Sequence, residues 1–303
     1  MPDRLIKLLF AAAPVRGELV RLGEAWRAMS EHHDYPPAVL RLLGQMAAAA
    51  PLLAASIKFN GALILQVHGD GPVKLMVVEV QPDLSIRATA KLREGAVVPD
   101  DAGMRELINA AGRGRCAITL DPLDRLPGQQ PYQGVVPLEG ETLAEALEAY
   151  MRQSEQLDTR LWLAADAHGA GGLLLQRLPG EGGHSSPADP DAWPRLQMLA
   201  GTVSDAELLG LDSEALAHRL FWQEPHELAS VLEPRFACTC SRERIGRMLV
   251  SLGRAEVDDI VRELGAVHVT CDFCNQTYEF DAVDTEQLFV GGGALRPQAD
   301  TQH

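Results

Sequence analysis

"GALILQVHGDGPVKLMVVEV", Gly61 to Val80, decides the fold class. Two apolar runs flank Gly69-Asp70-Gly71-Pro72, residues suited to a tight turn, so the stretch reads as two strands joined as a hairpin. Strands joined this closely pair antiparallel, because parallel neighbours need a long crossover. "RCAITLD" (Arg115 to Asp121) and "YQGVVPL" (Tyr132 to Leu138) read as further strands, and "GGLLLQRLP" (Gly171 to Pro179) as a closing one. Between and before them, "ELVRLGEAWRAMSE" (Glu18 to Glu31) and "PAVLRLLGQMAAAAPLLAASIK" (Pro37 to Lys58) have helical spacing. "TLAEALEAYMRQSEQ" (Thr142 to Gln156) places Leu143, Leu147 and Met151 on one helix face. Hairpins followed by helices indicate an α+β domain over residues 1–178, a mixed α/β fold with a largely antiparallel sheet rather than a doubly wound parallel one.

At 303 residues the chain is long enough for one large domain and a smaller one. Its 46% hydrophobic and 23% charged residues are ordinary for a globular protein. The formal net charge of -15 is not, and it argues against general affinity for nucleic acid or anionic membrane. Near the start, Arg4 and Lys7 precede an apolar stretch, but Asp3 and Arg16 confine it to Leu8 to Val15, so no targeting signal is read there. The run Met46 to Ala55 is too short to span a membrane and contains Pro51. A cytoplasmic, reducing location is expected, where paired cysteines point to metal or redox chemistry rather than structural disulfides.

After residue 178 the composition shifts. "PGEGGHSSPADPD" (Pro179 to Asp191) is a Gly/Pro/Ser loop, and Ala192 to Glu233 reads as short helices. "LDSEALAHRLFWQEPHELASVLEP" carries a candidate cap at Ser213 and a break at Pro225. Its Leu216, Leu220, Phe221 and Trp222 need a surface, and helices so short have little stability alone. Residues 179–233 are therefore predicted to be a flexible loop and a metastable helical linker, ordered while their neighbours hold them. Residues 234–284 form a small cysteine module, and residues 285–303 are predicted to be a disordered tail.

The module holds Cys238 and Cys240 as C-x-C and Cys271 and Cys274 as C-x-x-C. Two thiol pairs presented from turns supply the four corners of a closed tetrahedral zinc site. Between them Ile245, Met248, Leu249 and Leu252, then Val257, Ile260, Val261 and Leu264, repeat a helical spacing, each run ending at a glycine. So small a module has little core, and structural zinc can contribute about 10–16 kcal/mol, comparable to the ~5–15 kcal/mol net stability of a whole domain. Three readings stay open on spacing alone: a constitutive zinc ribbon used for docking, a thiol–disulfide oxidoreductase using C-x-x-C, or a redox sensor whose pairs oxidise as zinc leaves. A nucleic-acid ribbon is disfavoured, since Arg235 to Phe280 contains six Arg against seven Asp or Glu.

"FACTCSRERI", "SLGR" and "VTCDFCNQTYEFD" resemble the zinc module of the redox-regulated 33-kDa heat-shock chaperone family of bacteria. "APVRGELVRL", "SIKFNGALILQVHGDGPVKLMVVE", "GRCAITLD", "YQGVVPL", "YMRQSEQLDTRLWLA" and "GGLLLQRLP" resemble the family's N-terminal domain in the same order. The similarity runs over about residues 3–284. It implies a cytosolic chaperone rather than an enzyme, with one Zn2+ on Cys238, Cys240, Cys271 and Cys274 in a reduced, inactive monomer. Peroxide with unfolding stress, or hypochlorite, would release zinc and form disulfides Cys238–Cys240 and Cys271–Cys274. The module and linker would then unfold, and the homodimer would hold unfolding client proteins without ATP until ATP-dependent chaperones refold them.

Arg235, Arg242 and Arg244 flank C-x-C, whereas Asp272, Glu279 and Asp281 flank C-x-x-C. Since positive neighbours favour thiolate, Cys271 and Cys274 are predicted to leave zinc and oxidise first. Cys116 reads as a buried strand residue and His268 as a strand-face residue rather than a fifth ligand. His32-His33-Asp34 reads as a loop cluster, and Ser154-Glu155 lacks an evident base for nucleophilic chemistry.

Overall fold

The computed structural model describes residues 2–11, 13–57, 59–124, 130–178 and 189–290. Most of the Gly/Pro/Ser loop and the Gly-rich tail lie outside the described residues. Backbone contacts divide the chain into two compact units, Met1–Ala237 and Cys238–His303.

The first unit opens with β1 (Arg4–Phe10) and β2 (Val15–Leu22), then α1 (Glu24–Ser30) and α2 (Pro37–Ser56). β3 (Gly61–His68), β4 (Val73–Val80) and β5 (Ser85–Leu92) follow, then α3 (Met104–Ile108), β6 (Arg115–Pro122) and β7 (Tyr132–Pro137). α4 (Leu143–Ser154), β8 (Thr159–Ala165) and β9 (Ala170–Arg177) precede α5 (Ala192–Ala200), α6 (Asp205–Gly210) and α7 (Ser213–Phe221). β10 (His226–Leu232) and β11 (Arg235–Phe236) end the unit. The strands form a five-stranded sheet, β10-β1-β2-β9-β8, and a six-stranded sheet, β11-β5-β4-β3-β6-β7. Every pairing is antiparallel except β11 on β5. The α+β, largely antiparallel architecture expected from Gly61 to Val80 is the one observed, and the Gly69 N–H donates to the Lys74 carbonyl at 3.0 Å to close that hairpin.

α2 lies in the main core, which both sheets line: Val20, Leu22 and Leu174 from the first, Leu63, Val78 and Ile86 from the second. At 20 residues and a mean hydropathy of 1.5 it is long and apolar enough to cross a membrane, but 72% of that window is buried by the protein itself. The apolar run Met46 to Ala55 understated it, because the helix begins at Pro37 and continues through Pro51. Proline lacks an N–H, so the Ala47 carbonyl loses its helical donor, a loss the dense packing around the helix outweighs.

The opposite face of the five-stranded sheet is apolar as well. Ile6, Leu8 and Phe10 of β1, Leu19 of β2, and Leu173 and Leu175 of β9 pack under Leu196, Leu208, Leu216, Leu220 and Phe221 of α5–α7. Phe10 and Phe221 meet edge to face at 5.2 Å. Arg195 ties α5 to the segment beyond α7 through Glu224 at 2.6 Å. Arg21 donates to the Leu209 carbonyl at 2.6 Å.

Four local expectations need correction. Glu18 to Leu22 is strand rather than helix, since β2 pairs with β1 and β9 and is covered on both faces. Its apolar residues therefore lack the alternation that marks a half-buried strand. His226–Leu232 is strand rather than helix because it completes the open edge of β1, with Leu5 opposite Leu232 and Phe10 opposite His226. α7 is capped by Asp212, whose Oδ1 accepts from the Ala215 N–H at 2.8 Å, and Ser213 is its first residue. Phe221 is fully buried, while Trp222 is 67% exposed and needs no covering surface.

A buried carboxyl interrupts the interior of the five-stranded sheet. Glu18 is fully buried, and among the described residues neither carboxylate oxygen has a hydrogen-bond partner. Its cross-strand neighbour Lys7 donates to the Ala55 carbonyl at 2.6 Å, and Arg16 donates to Gln176. Burial pushes the Glu18 carboxyl up to about 7, against the opposing pull of Arg16 and Lys7. A carboxyl that binds its proton more tightly when folded stabilises the fold less as pH rises from about 4.5 through 7. Glu18→Gln is expected to flatten that dependence by about 3 kcal/mol, from about 1.36 kcal/mol per pH unit. Thermal melts at pH 5 and pH 8 check it: native protein should lose more stability between them than the variant.

Candidate metal centre

In the second unit Cys238 and Cys240 precede α8 (Arg242–Leu252), whose first turn is capped by Ser241 Oγ accepting from the Arg244 N–H at 3.2 Å. α8 gives way at Gly253 to α9 (Arg254–Leu264), which ends at Gly265. These glycines sit at φ of 102° and 85°, left of where a side chain is comfortable, so the two expected helix ends are set by backbone freedom. β12 (Val267–Thr270) and β13 (Thr277–Phe280) form a hairpin, and the turn between them carries Cys271 and Cys274. Backbone bonds of 2.9 Å, Cys271 N–H to Gln276 O and Asn275 N–H to Cys271 O, fix that turn. α10 (Ala282–Val290) follows, so helix continues beyond Asp284, where the tail was expected to begin. Leu288 of α10 joins Leu249, Val257, Val267 and Phe280 in a small core that is too apolar to leave exposed.

These elements bring the four sulfurs within 4.8 Å of one another. Cys238 Sγ lies 3.6 Å from Cys271 Sγ, Cys240 Sγ lies 3.5 Å from Cys274 Sγ, and all four thiols are free. Thiolates about 2.3 Å from a tetrahedral zinc lie about 3.8 Å apart, so the donor set and its spacing fit a metal ion and are compatible with zinc. Among the described residues no other group of His, Cys, Asp and Glu converges in this way.

The cluster's electrostatics also fit a cation. Burial alone would raise the Cys238 thiol, but the Cys240 N–H and the neighbouring thiols outweigh it and lower it. Burial raises Cys274, and the sulfurs of Cys240 and Cys238 raise it further. Cys240 is likewise raised by burial, with the Tyr278 hydroxyl acting the other way. Once one sulfur is ionised the next resists, so four adjacent thiolates need a positive ion among them.

The structure revises the charge asymmetry seen in sequence. Arg235 pairs with Asp83 at 2.5 Å. Arg242, its side chain 11% exposed, bonds Asp284 and the Glu279 carbonyl, both at 2.6 Å, with its guanidinium 4.3 Å above the Phe280 ring. Arg244 bonds the Thr239 hydroxyl at 3.0 Å. Arg235 is thus held within the first unit, while Arg242 and Arg244 bind partners inside the second. Tyr278, whose hydroxyl donates to Cys240 Sγ at 3.1 Å, has no signal in sequence beyond its place in a short strand. Cys116 is fully buried in β6, with its thiol pushed up to about 12 by burial, and is chemically quiet. His268 lies beside Glu279 at 4.0 Å on the exposed hairpin face, and His33 stacks on Tyr35 at 4.8 Å. Ser154 Oγ donates to the Glu155 carboxylate at 3.3 Å and lies 3.5 Å from the Tyr132 hydroxyl.

The family described as Hsp33 protein matches residues 3–281. The chain is 46% identical to a 33 kDa chaperonin of Methylobacillus flagellatus, over 99% of each chain. It is 45% identical to a 33 kDa chaperonin of Azotobacter vinelandii, over 98% of this chain and 97% of that one. Its fold resembles the crystal structure of the 33 kDa chaperonin of Thermotoga maritima, with a TM-score of 0.76 and 21% identity, covering 95% of this chain and 97% of the other.

With so small a core, chelating the metal from reduced protein is expected to unfold the second unit and leave the first intact. Loss of amide dispersion for residues 238–290 alone in an NMR spectrum checks this. Arg242→Ala removes the ring contact and the charge-assisted bonds to Asp284 and the Glu279 carbonyl, and should destabilise the second unit by about 2–4 kcal/mol in urea unfolding of the metal-loaded protein.

Proposed function

The chain belongs to the Hsp33 family, and on that premise we propose that it is a redox-regulated, ATP-independent holdase of the cytoplasm. The observation that carries the reading is the convergence of four free thiols within 4.8 Å in a unit with little other core. In the reduced state Cys238, Cys240, Cys271 and Cys274 hold one Zn2+. The ion supplies the positive charge that lets four thiolates coexist and staples the unit.

Oxidation by peroxide with unfolding stress, or by hypochlorite, removes two electrons from each thiol pair, forming Cys238–Cys240 and Cys271–Cys274. A disulfide sulfur is a poor ligand, so the staple is lost as the bonds form. The second unit then unfolds, and under the added stress the short helices α5–α7 of the first unit, which stay in place when metal alone is removed, follow. Their departure uncovers Ile6, Leu8, Phe10, Leu19, Leu173 and Leu175, an apolar sheet face whose covering side chains are drawn from this same segment. Exposed apolar surface of this kind attracts the apolar segments of unfolding proteins and favours dimerisation. No nucleotide is consumed, and ATP-dependent chaperones take the clients onward.

A thiol–disulfide oxidoreductase is less well supported, because Cys271 follows a strand and opens a turn instead of a helix N-terminus. Light scattering of an aggregating client tests the reading. Peroxide-treated protein should suppress the scattering and reduced zinc-loaded protein should not, with zinc release rising in parallel; equal suppression in both states would reject redox control.

A further inference from the structure

Cys238 has the Cys240 N–H, and Cys274 the Gln276 N–H, as a donor from its own knuckle. Cys240 differs. Its donor is a side chain from the other knuckle's hairpin, the Tyr278 hydroxyl at 3.1 Å. Tyr278 faces inward on β13 together with Phe280, and its ring packs against the small core of Leu249, Val257, Val267 and Leu288. The ring is thus held by packing, and the hydroxyl is held at the sulfur. Cys240 Sγ thus has two near polar neighbours, that oxygen at 3.1 Å and Cys274 Sγ at 3.5 Å.

We propose that Tyr278 is a positioning residue that shields Cys240, slowing its attack on oxidants and so helping to set the order in which the cluster reacts. The inference rests on the redox reading given above. A hydrogen bond to a thiolate draws electron density from sulfur and occupies a lone pair, and both effects lower nucleophilicity. In the step it slows, a Cys240 lone pair attacks one oxygen of a peroxide. The O–O bond breaks, sulfur loses two electrons and becomes a sulfenic acid, and the departing hydroxide takes a proton to become water. Cys238 thiolate then attacks the sulfenic sulfur, the S–S bond forms, and hydroxide leaves as a second water after protonation. Tyr278 keeps its own proton throughout. Because the donor comes from the C-x-x-C hairpin, the shield is present only while the two knuckles stay together. Once the hairpin loosens, Cys240 loses its donor, which couples the reaction of one pair to the reactivity of the other.

Tyr278→Phe keeps the ring and removes the donor. The test uses the full-length, reduced, zinc-loaded chain and limiting iodoacetamide, with each cysteine's alkylation followed by mass spectrometry. The variant should react about three- to tenfold faster at Cys240, the range expected for one hydrogen bond, while Cys238, Cys271 and Cys274 change less than about twofold. Peroxide-driven zinc release should quicken in step. Equal acceleration at all four cysteines would overturn the proposal, since that is general loosening. Unchanged reactivity at Cys240 would overturn it too. So would a variant that binds less than a full equivalent of zinc, because the hydroxyl would then serve folding and not shielding. Client suppression is measured alongside: if oxidised native protein suppresses nothing, the holdase reading fails while the alkylation pattern still decides the role of Tyr278.

Discussion

Four sulfur atoms within 4.8 Å of one another cannot all be ionised unless a cation stands among them, and the second unit is arranged around that constraint. Among the described residues its two helices, its hairpin and α10 share a small core centred on Leu249, Val257, Val267, Phe280 and Leu288, with side chains such as Ile245, Val261 and Tyr278 packed against it. Such a core cannot offset the conformational entropy of more than fifty residues without help. The cross-knuckle contacts follow the same logic. Arg242 joins the start of α8 to β13 and α10, and Tyr278 joins β13 to Cys240. Both work only while the knuckles face each other, so the unit is ordered as a whole or hardly at all.

The first unit answers to a different constraint. Its five-stranded sheet is apolar on both faces, and two sets of helices must cover it. α2 covers one face within a core shared with the other sheet, an arrangement with no route to easy exposure. α5–α7 cover the other face as short pieces, fixed by Phe221, by Arg195 on Glu224 and by Arg21 on the Leu209 carbonyl. Segments of that length have little helical stability of their own. The unit therefore combines a permanent half with a half whose cover depends on tertiary contacts. The buried Glu18 on the α2 side of the same sheet, without a hydrogen-bond partner among the described residues, makes the permanent half less stable as pH rises.

How legible each element was depended on how it is buried. The Gly61 to Val80 hairpin carries its own turn, and α4 carries its own capping box, Thr142 with Glu145, so both could be read locally. β2 could not, since burial on two faces erases the period of two that identifies a strand. β10 could not, since nothing in His226–Leu232 announces that the edge of β1 waits for it. The partners of the charges around the thiols were illegible for a related reason. Arg235, Arg242 and Arg244 are adjacent to C-x-C in sequence, yet a guanidinium reaches far from its Cα, and these three reach Asp83, Asp284 and Thr239.

By itself the sequence determined the α+β class, the break in character after residue 178, and the four thiols in two closely spaced pairs. Those features are written in local spacing and in residue chemistry, which do not depend on how the chain returns on itself. Only the tertiary structure decided that the sulfurs converge, which sheet face α5–α7 conceal, and that Tyr278 and Arg242 bind the knuckles together. Each of these is a contact between residues far apart in the chain, set by packing and register, and neither is visible until the chain has folded.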